Sequence, residues 1–187
     1  PEPDVLPPPP RRLREAVWGP FVGFLSQHRS LEILGFVVLY KLSDNLTQSL
    51  TGPFLVQIGF GDVDVGLART TIGQAAAVFG VFLGGVLTDR IGLGRSLWIF
   101  GFLQIFSNLG YYFVSLAGGP ELPLMYGAAG FELLTSGLGT GAFSVLLLRL
   151  TQKRFSATQY ALFTSLFALP RLLAGPIAGF AVDAVGW

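Results

Sequence analysis

The chain contains no cysteine and one histidine, His28. Disulfides and thiolate metal sites are therefore excluded, and one imidazole cannot build a metal cluster alone. His28 reads as a polar residue near a membrane surface, not as a catalytic base. Charge is scarce too. Lys, Arg, Asp and Glu make up 12% of the 187 residues, where a soluble domain carries roughly 25%. The chain opens on Pro1 without a signal-peptide pattern, and it is expected to be a fragment of a longer protein.

Apolar residues are abundant. They form 51% of the sequence, and the mean hydropathy is +0.61. There are 17 Phe and 25 Gly, as expected for packed transmembrane helices. Residues 1–10, PEPDVLPPPP, cannot form a helix, because proline removes donors and fixes φ; they read as an extended linker. Residues 11–30 begin with Arg11, Arg12 and Arg14 and place Leu13, Val17, Phe21, Phe24 and Leu25 at near-helical spacing. This reads as an amphipathic segment on the cytoplasmic membrane surface, with Trp18 near the headgroups. A nucleic-acid role for the arginines is set aside beside so apolar a sequence.

Residues 31–187 are expected to form a transmembrane bundle. About 20 apolar residues cross the hydrocarbon, and five runs qualify: 31–58, 67–87, 96–116, 122–150 and 157–182. Continuous runs of this length mean helices, not barrel strands. The expected fold is an all-α polytopic membrane bundle. Arg90 and Arg95 lie in the second connection, and Arg149, Lys153 and Arg154 in the fourth. The intervening turns, 59–66 and 118–123, carry Asp62, Asp64 and Glu121 and no Lys or Arg. The positive-inside rule puts the N-terminus and both basic turns in the cytoplasm. Arg69, near the outer end of the second span, is the exception.

Charges also stand inside the spans. Lys41, Asp44, Asn45 and Gln48 are spaced i, i+3, i+4, i+7, which makes one helical stripe. A charge at mid-membrane costs at least ~2.5–3.5 kcal/mol, so it faces an interior or a wet path. Glu132 in the fourth span and Arg171 in the fifth add partners; Pro170, just before Arg171, frees a carbonyl one turn back. Gln104 and Asn108 form an i, i+4 pair in the third span, and Gln159 stands at the inner end of the fifth. These groups either glue helices together or line a hydrated cavity for a polar solute. Four ionisable side chains in five spans exceed what packing needs, so the cavity is the expectation. Gly80-x-x-x-Gly84, Gly175-x-x-x-Gly179 and Gly137, Gly139 and Gly141 let backbones approach. GLGTG at 137–141 lies in an apolar span without a preceding strand, so it is not a nucleotide loop.

The turn Gly85-Val-Leu-Thr-Asp-Arg-Ile-Gly-Leu-Gly-Arg95 is the sharpest motif. Asp89 is placed to cap a neighbouring helix, and Arg90 and Arg95 to bond carbonyls or acids. This GxxxDRxGxxR pattern resembles the signature of the major facilitator superfamily. There it follows the second span of each six-helix half, so Gly85, Asp89, Arg90, Gly92 and Arg95 would form a cytoplasmic gating turn. By that resemblance the chain corresponds to spans seven to eleven of a twelve-span carrier.

The strings LYKLSDNLTQSLTGPFLVQIGF, GGVLTDRIGLGRSLWIFGFLQIFSNLGYYFVSLAG, RFSATQYALFTSL and GPIAGF resemble the AmpG family of muropeptide permeases. The likeness runs over nearly all of residues 11–187. Relatives tend to follow the Glu of Phe131-Glu132 with Asn, where Leu133 stands here. Acetyl-CoA carriers share the broader fold and are the alternative. The resemblance implies proton-coupled import of anhydro-muropeptides, the disaccharide-peptide fragments of cell wall, across the inner membrane of a Gram-negative bacterium. It implies a part in peptidoglycan recycling and β-lactamase induction, and an N-terminal half of the carrier as partner.

A site for such a solute needs donors, acceptors and cations. Lys41 and Arg171 are candidates for its carboxylates; Asn45, Gln48, Gln104, Asn108 and Gln159 are candidates for its sugar and peptide groups. Asp44 is the first candidate for the proton, because burial disfavours the charged form of a carboxylate. Lys41, one turn away, works against it; if that pair is tight, Glu132 becomes the better carrier. No cofactor is expected beyond the coupling proton. The protein is not expected to be an enzyme: GFGD at 59–62 resembles the GxGD of intramembrane aspartyl proteases, but Asp62 lies in an outer turn. A non-transporting membrane scaffold is the remaining rival.

Overall fold

The computed structural model describes Val22, residues 30–150 and residues 156–186. The linker 1–10, all but Val22 and Ser30 of the segment 11–30, Lys153 and Arg154, and the side chain of Gln159 lie outside the described residues. Five long helices follow one another: α1 Ser30–Gln57, α2 Asp62–Ile91, α3 Leu93–Leu116, α4 Leu122–Leu150 and α5 Ser156–Val185. The described residues contain no strand. The chain is an all-α membrane bundle. Helices α2, α3 and α4 have both the length and the apolar composition to cross a bilayer. Helices α1 and α5, at 28 and 30 residues, match them in length.

Helix ends follow from local chemistry. Helix α1 stops at Gly59, whose φ of 103° suits a residue without Cβ. Phe60 N–H then donates to Leu55 O at 3.1 Å, and Gly59 N–H to Val56 O at 3.1 Å. This is a Schellman cap, completed by the apolar contact of Phe60 with Leu55 in one buried cluster. Gly61 is extended, and Asp62 and Asp64 sit in the first turn of α2, where the helix dipole favours acids. The outer turn expected over 59–66 is thereby shorter, and α2 begins five residues before the expected span. At the other end of α2, Gly92 alone joins it to α3, with φ 93°.

Helix α4 is the core. Of its apolar window 61% is buried, against 17% in α2 and 22% in α3. It packs mainly on α2 and α3, while α5 lies along α1 and buries Pro170, Ala174 and Ala178. The α2–α4 contact is made by glycine. A Cβ at Gly80 or Gly84 would strike the backbone of Leu134 or Leu138, and one at Gly137 or Gly141 the carbonyl of Ala77 or Val81. Backbones thus touch, as small-residue spacing allows in lipid. Gly175 and Gly179 have open space beside them, so this third pair is not engaged among the described residues. Outward, α3 presents Phe106, Tyr112 and Phe113, all exposed, as a lipid-facing side chain must be.

Apolar clusters close the bundle at both ends. Leu55, Phe60, Val65, Val114 and Met125 pack together at one end. Phe143 and Leu147, with Tyr40 and Tyr160 against them, pack toward the other. Polar side chains occupy the layer between.

Candidate proton and solute site

The stripe on α1 meets α4. Lys41 Nζ donates to Asp44 Oδ2 at 2.8 Å and to Thr140 Oγ1 at 2.9 Å. Ser136 Oγ lies 3.0 and 3.2 Å from the two Asp44 oxygens. Gln48 Nε2 donates to Asp44 Oδ1 at 3.1 Å and to Ser136 Oγ at 3.0 Å, and Gln104 Nε2 of α3 also donates to Asp44 Oδ1. Lys41 and Asp44 are each 6% exposed. Four side chains from three helices therefore occupy the lone pairs of one buried carboxylate, which is how a buried charge is tolerated. Lys41 pairs with Thr140 and Gln48 with Ser136, so α1 and α4 run antiparallel through this layer.

Asn45 turns back on its own helix and donates to Lys41 O at 2.8 Å. Gln104, Ser107, Asn108 and Tyr111 share one face of α3, and each contributes to the interior. Ser107 Oγ lies 2.9 Å from Thr135 Oγ1. A cavity of about 330 Å³ opens between α1 and α3, lined by Phe36, Tyr40 and Trp98 and by Asp44, Gln104 and Asn108. Tyr40 OH and Asn108 Oδ1 are buried there without a hydrogen-bond partner among the described residues, which leaves two polar atoms for water or solute.

Glu132 of α4 forms a second centre and is 1% exposed. Tyr111 OH donates to its Oε2 at 3.3 Å, and Oε1 has no partner among the described residues. Arg69 reaches in from α2, its Nη2 donating to Gln48 O at 3.0 Å, near enough for its charge to act on Glu132 and Tyr111.

The structure thus brings together Lys41, Asp44, Gln48, Gln104 and, beside them, Asn108 and Glu132. It does not bring Arg171 to them: Arg171 is exposed on α5. Asp89 is exposed in the last turn of α2 and does not cap α3, whose N-cap Gly92 stands without a side-chain hydrogen bond. The turn narrows to one residue, so Asp89 remains helical behind it. Arg90 and Arg95 are exposed as well, while Gly85 is half-buried beside α4. Ser136, Thr140, Arg69 and Tyr111 were absent from the sequence-based candidates. The i, i+4 spacing of Ser136 and Thr140, echoing Lys41 to Gln48, was the available signal.

Long apolar helices around buried ionisable side chains define the class: a multi-pass helical membrane protein with a polar interior. Within it, the chain is homologous along its whole length to the anhydromuropeptide permease of Escherichia coli K12, with 43% identity over 188 positions, covering 100% of this chain and 38% of that protein. A putative transporter AmpG 2 of Rickettsia felis is 32% identical, covering 91% of this chain and 41% of that protein. A putative transporter AmpG 1 of Rickettsia prowazekii is 29% identical, covering 83% and 35%. The chain therefore spans well under half the length of these relatives. No protein-family model matches it.

Proposed function

We propose that the chain is the C-terminal part of a proton-coupled carrier of the major facilitator type that imports anhydromuropeptides from periplasm to cytoplasm for peptidoglycan recycling. The rest of the carrier is its partner, the inner membrane its location, and its N-terminal side faces the cytoplasm. The similarity to an anhydromuropeptide permease over 100% of the chain supports the solute. The solute carries hydroxyls, amides and carboxylates, which suit the amides of Gln104 and Asn108 at the α1–α3 cavity and the exposed cation of Arg171. The reading needs no catalytic step and no cofactor other than the proton.

One observation carries the coupling assignment. Both oxygens of Asp44 are occupied by donors, whereas Glu132 is buried with Oε1 free of partners among the described residues. A proton reaching Asp44 must displace a donor; one reaching Glu132 Oε1 displaces none. We therefore assign proton binding to Glu132 and the organisation of the α1–α4 contact to Asp44. Uptake of anhydromuropeptide by the full-length protein in proteoliposomes tests this. Glu132→Gln should abolish gradient-driven accumulation yet keep solute exchange across the membrane at equilibrium. Normal accumulation by Glu132→Gln would refute the assignment.

A further inference from the structure

Arg69 is the one cation that the topology rule leaves unexplained, and the fold gives it a distinctive setting. Residues Ala68–Gly73 form a π-helical turn between two α-helical stretches of α2. Such a turn inserts one residue into the helical register and is common at functional sites. Here it turns Arg69 inward, while Thr70 and Thr71 remain exposed. Gly73, at its end, is buried with no room for a Cβ against the Leu133 side chain, so the turn is seated on α4 next to Glu132.

Only one arm of the Arg69 guanidinium is engaged among the described residues. Nη2 holds the Gln48 carbonyl of α1 at 3.0 Å. Nη1 is buried and has no partner among the described residues. Glu132 Oε1 is a buried acceptor in the same condition. The two form no ion pair within 4.0 Å in this structure. Yet a buried cationic donor and a buried carboxylate oxygen, each without a partner among the described residues and close enough for their charges to interact, are complementary, and leaving either unsatisfied is costly. The other groups acting on Glu132 are Tyr111 of α3, which donates to Oε2, and Asp44 of α1, a carboxylate of the same sign that repels it. Among the described residues, Arg69 is the cation whose charge acts on Glu132.

We propose that Arg69 is the positioning residue of the proton site: it is the counter-charge of ionised Glu132, and through the Gln48 carbonyl it ties the protonation state of α4 to the placement of α1. When Glu132 takes a proton on Oε1 from the outer aqueous phase, its negative charge is lost and the guanidinium is released to the α1 carbonyl alone. When the proton leaves to the inner phase, the carboxylate regains the guanidinium. The inference rests on the assignment of Glu132 as proton carrier.

The test uses the full-length carrier in proteoliposomes with an imposed pH step of about one unit. One coupled proton per solute then supports about tenfold accumulation. Arg69→Gln should reduce the accumulation ratio toward about one while equilibrium exchange continues, and Arg69→Lys should restore part of it. Thermal stability supplies a readout independent of transport. Arg69→Gln should lower the unfolding temperature, and the double variant Arg69→Gln/Glu132→Gln should regain it, because the stranded carboxylate is removed as well. Wild-type accumulation by Arg69→Gln overturns the proposal, as does equal loss of accumulation and exchange or a double variant less stable than either single one. If Glu132→Gln is defective while Arg69→Gln is normal, only the role of Arg69 fails. If Glu132→Gln accumulates normally, the proton-site assignment fails and this inference with it.

Discussion

Replacing Asp44 by Ala removes the acceptor shared by Lys41, Gln48, Gln104 and Ser136. The cost follows from what is stranded. The Lys41 ammonium, on a residue 6% exposed, keeps Thr140 Oγ1 at 2.9 Å but loses its counter-charge, and breaking a buried ion pair from one side costs about 3–5 kcal/mol. Lys41→Met should cost less, about 1–3 kcal/mol, because Ser136 and the two amides still serve the carboxylate. Removing both charges, as Lys41→Met/Asp44→Ala, strands only neutral groups that can bond one another, and should be milder than Asp44→Ala alone. The expected coupling in the double-mutant cycle is about 2 kcal/mol. Neutral interhelical hydrogen bonds in membranes average near ~0.6 kcal/mol, so the two cases are separable. The assay is unfolding of the full-length protein by SDS in mixed micelles, followed by circular dichroism. A coupling below about 0.5 kcal/mol would refute the reasoning that Asp44 organises the α1–α4 contact as an ion.

Two neighbouring glycines on α2 should respond with opposite sign. Gly84→Ala drives a Cβ into the backbone of Leu138 and should destabilise by about 1–3 kcal/mol or more, whereas Gly85→Ala meets nothing within 4 Å and should stabilise by up to ~1 kcal/mol through helix propensity; the same SDS titration ranks them. At the C-terminal cap of α1, Phe60→Ala should cost about 3–5 kcal/mol because its ring is 3% exposed, and Gly59→Ala about 1–2 kcal/mol from φ alone. Both should increase amide exchange at the end of α1, and unchanged exchange would contradict the cap.

Much of the architecture was written in local sequence. Apolar runs of membrane length, interrupted by short turns, specify helices because lipid offers the backbone no other partner, and the five helices follow those runs. The stripe Lys41 to Gln48 was legible because helical periodicity puts such residues on one face whatever surrounds them. The close approach of α2 and α4 was legible in Gly80, Gly84, Gly137 and Gly141, since only small residues allow it. What local sequence could not decide is which faces meet. Gly175 and Gly179 carry the same spacing as the engaged pairs and stand open, and Arg171 is as charged as Lys41 yet lies exposed. Ser136 and Thr140 look like any hydroxyls bonding their own helix until the register of α4 against α1 sets them on Asp44 and Lys41. Arg69 reads as an outer-surface cation until a π-helical turn rotates it inward. Helical periodicity is a property of about two turns of chain, whereas register and partner are fixed by packing between segments some 90 residues apart, as in Lys41–Thr140 and Gln48–Ser136. The helices and the polar stripe were therefore present in the sequence, and the distinction between a saturated Asp44 and a receptive Glu132 arose only in the folded bundle.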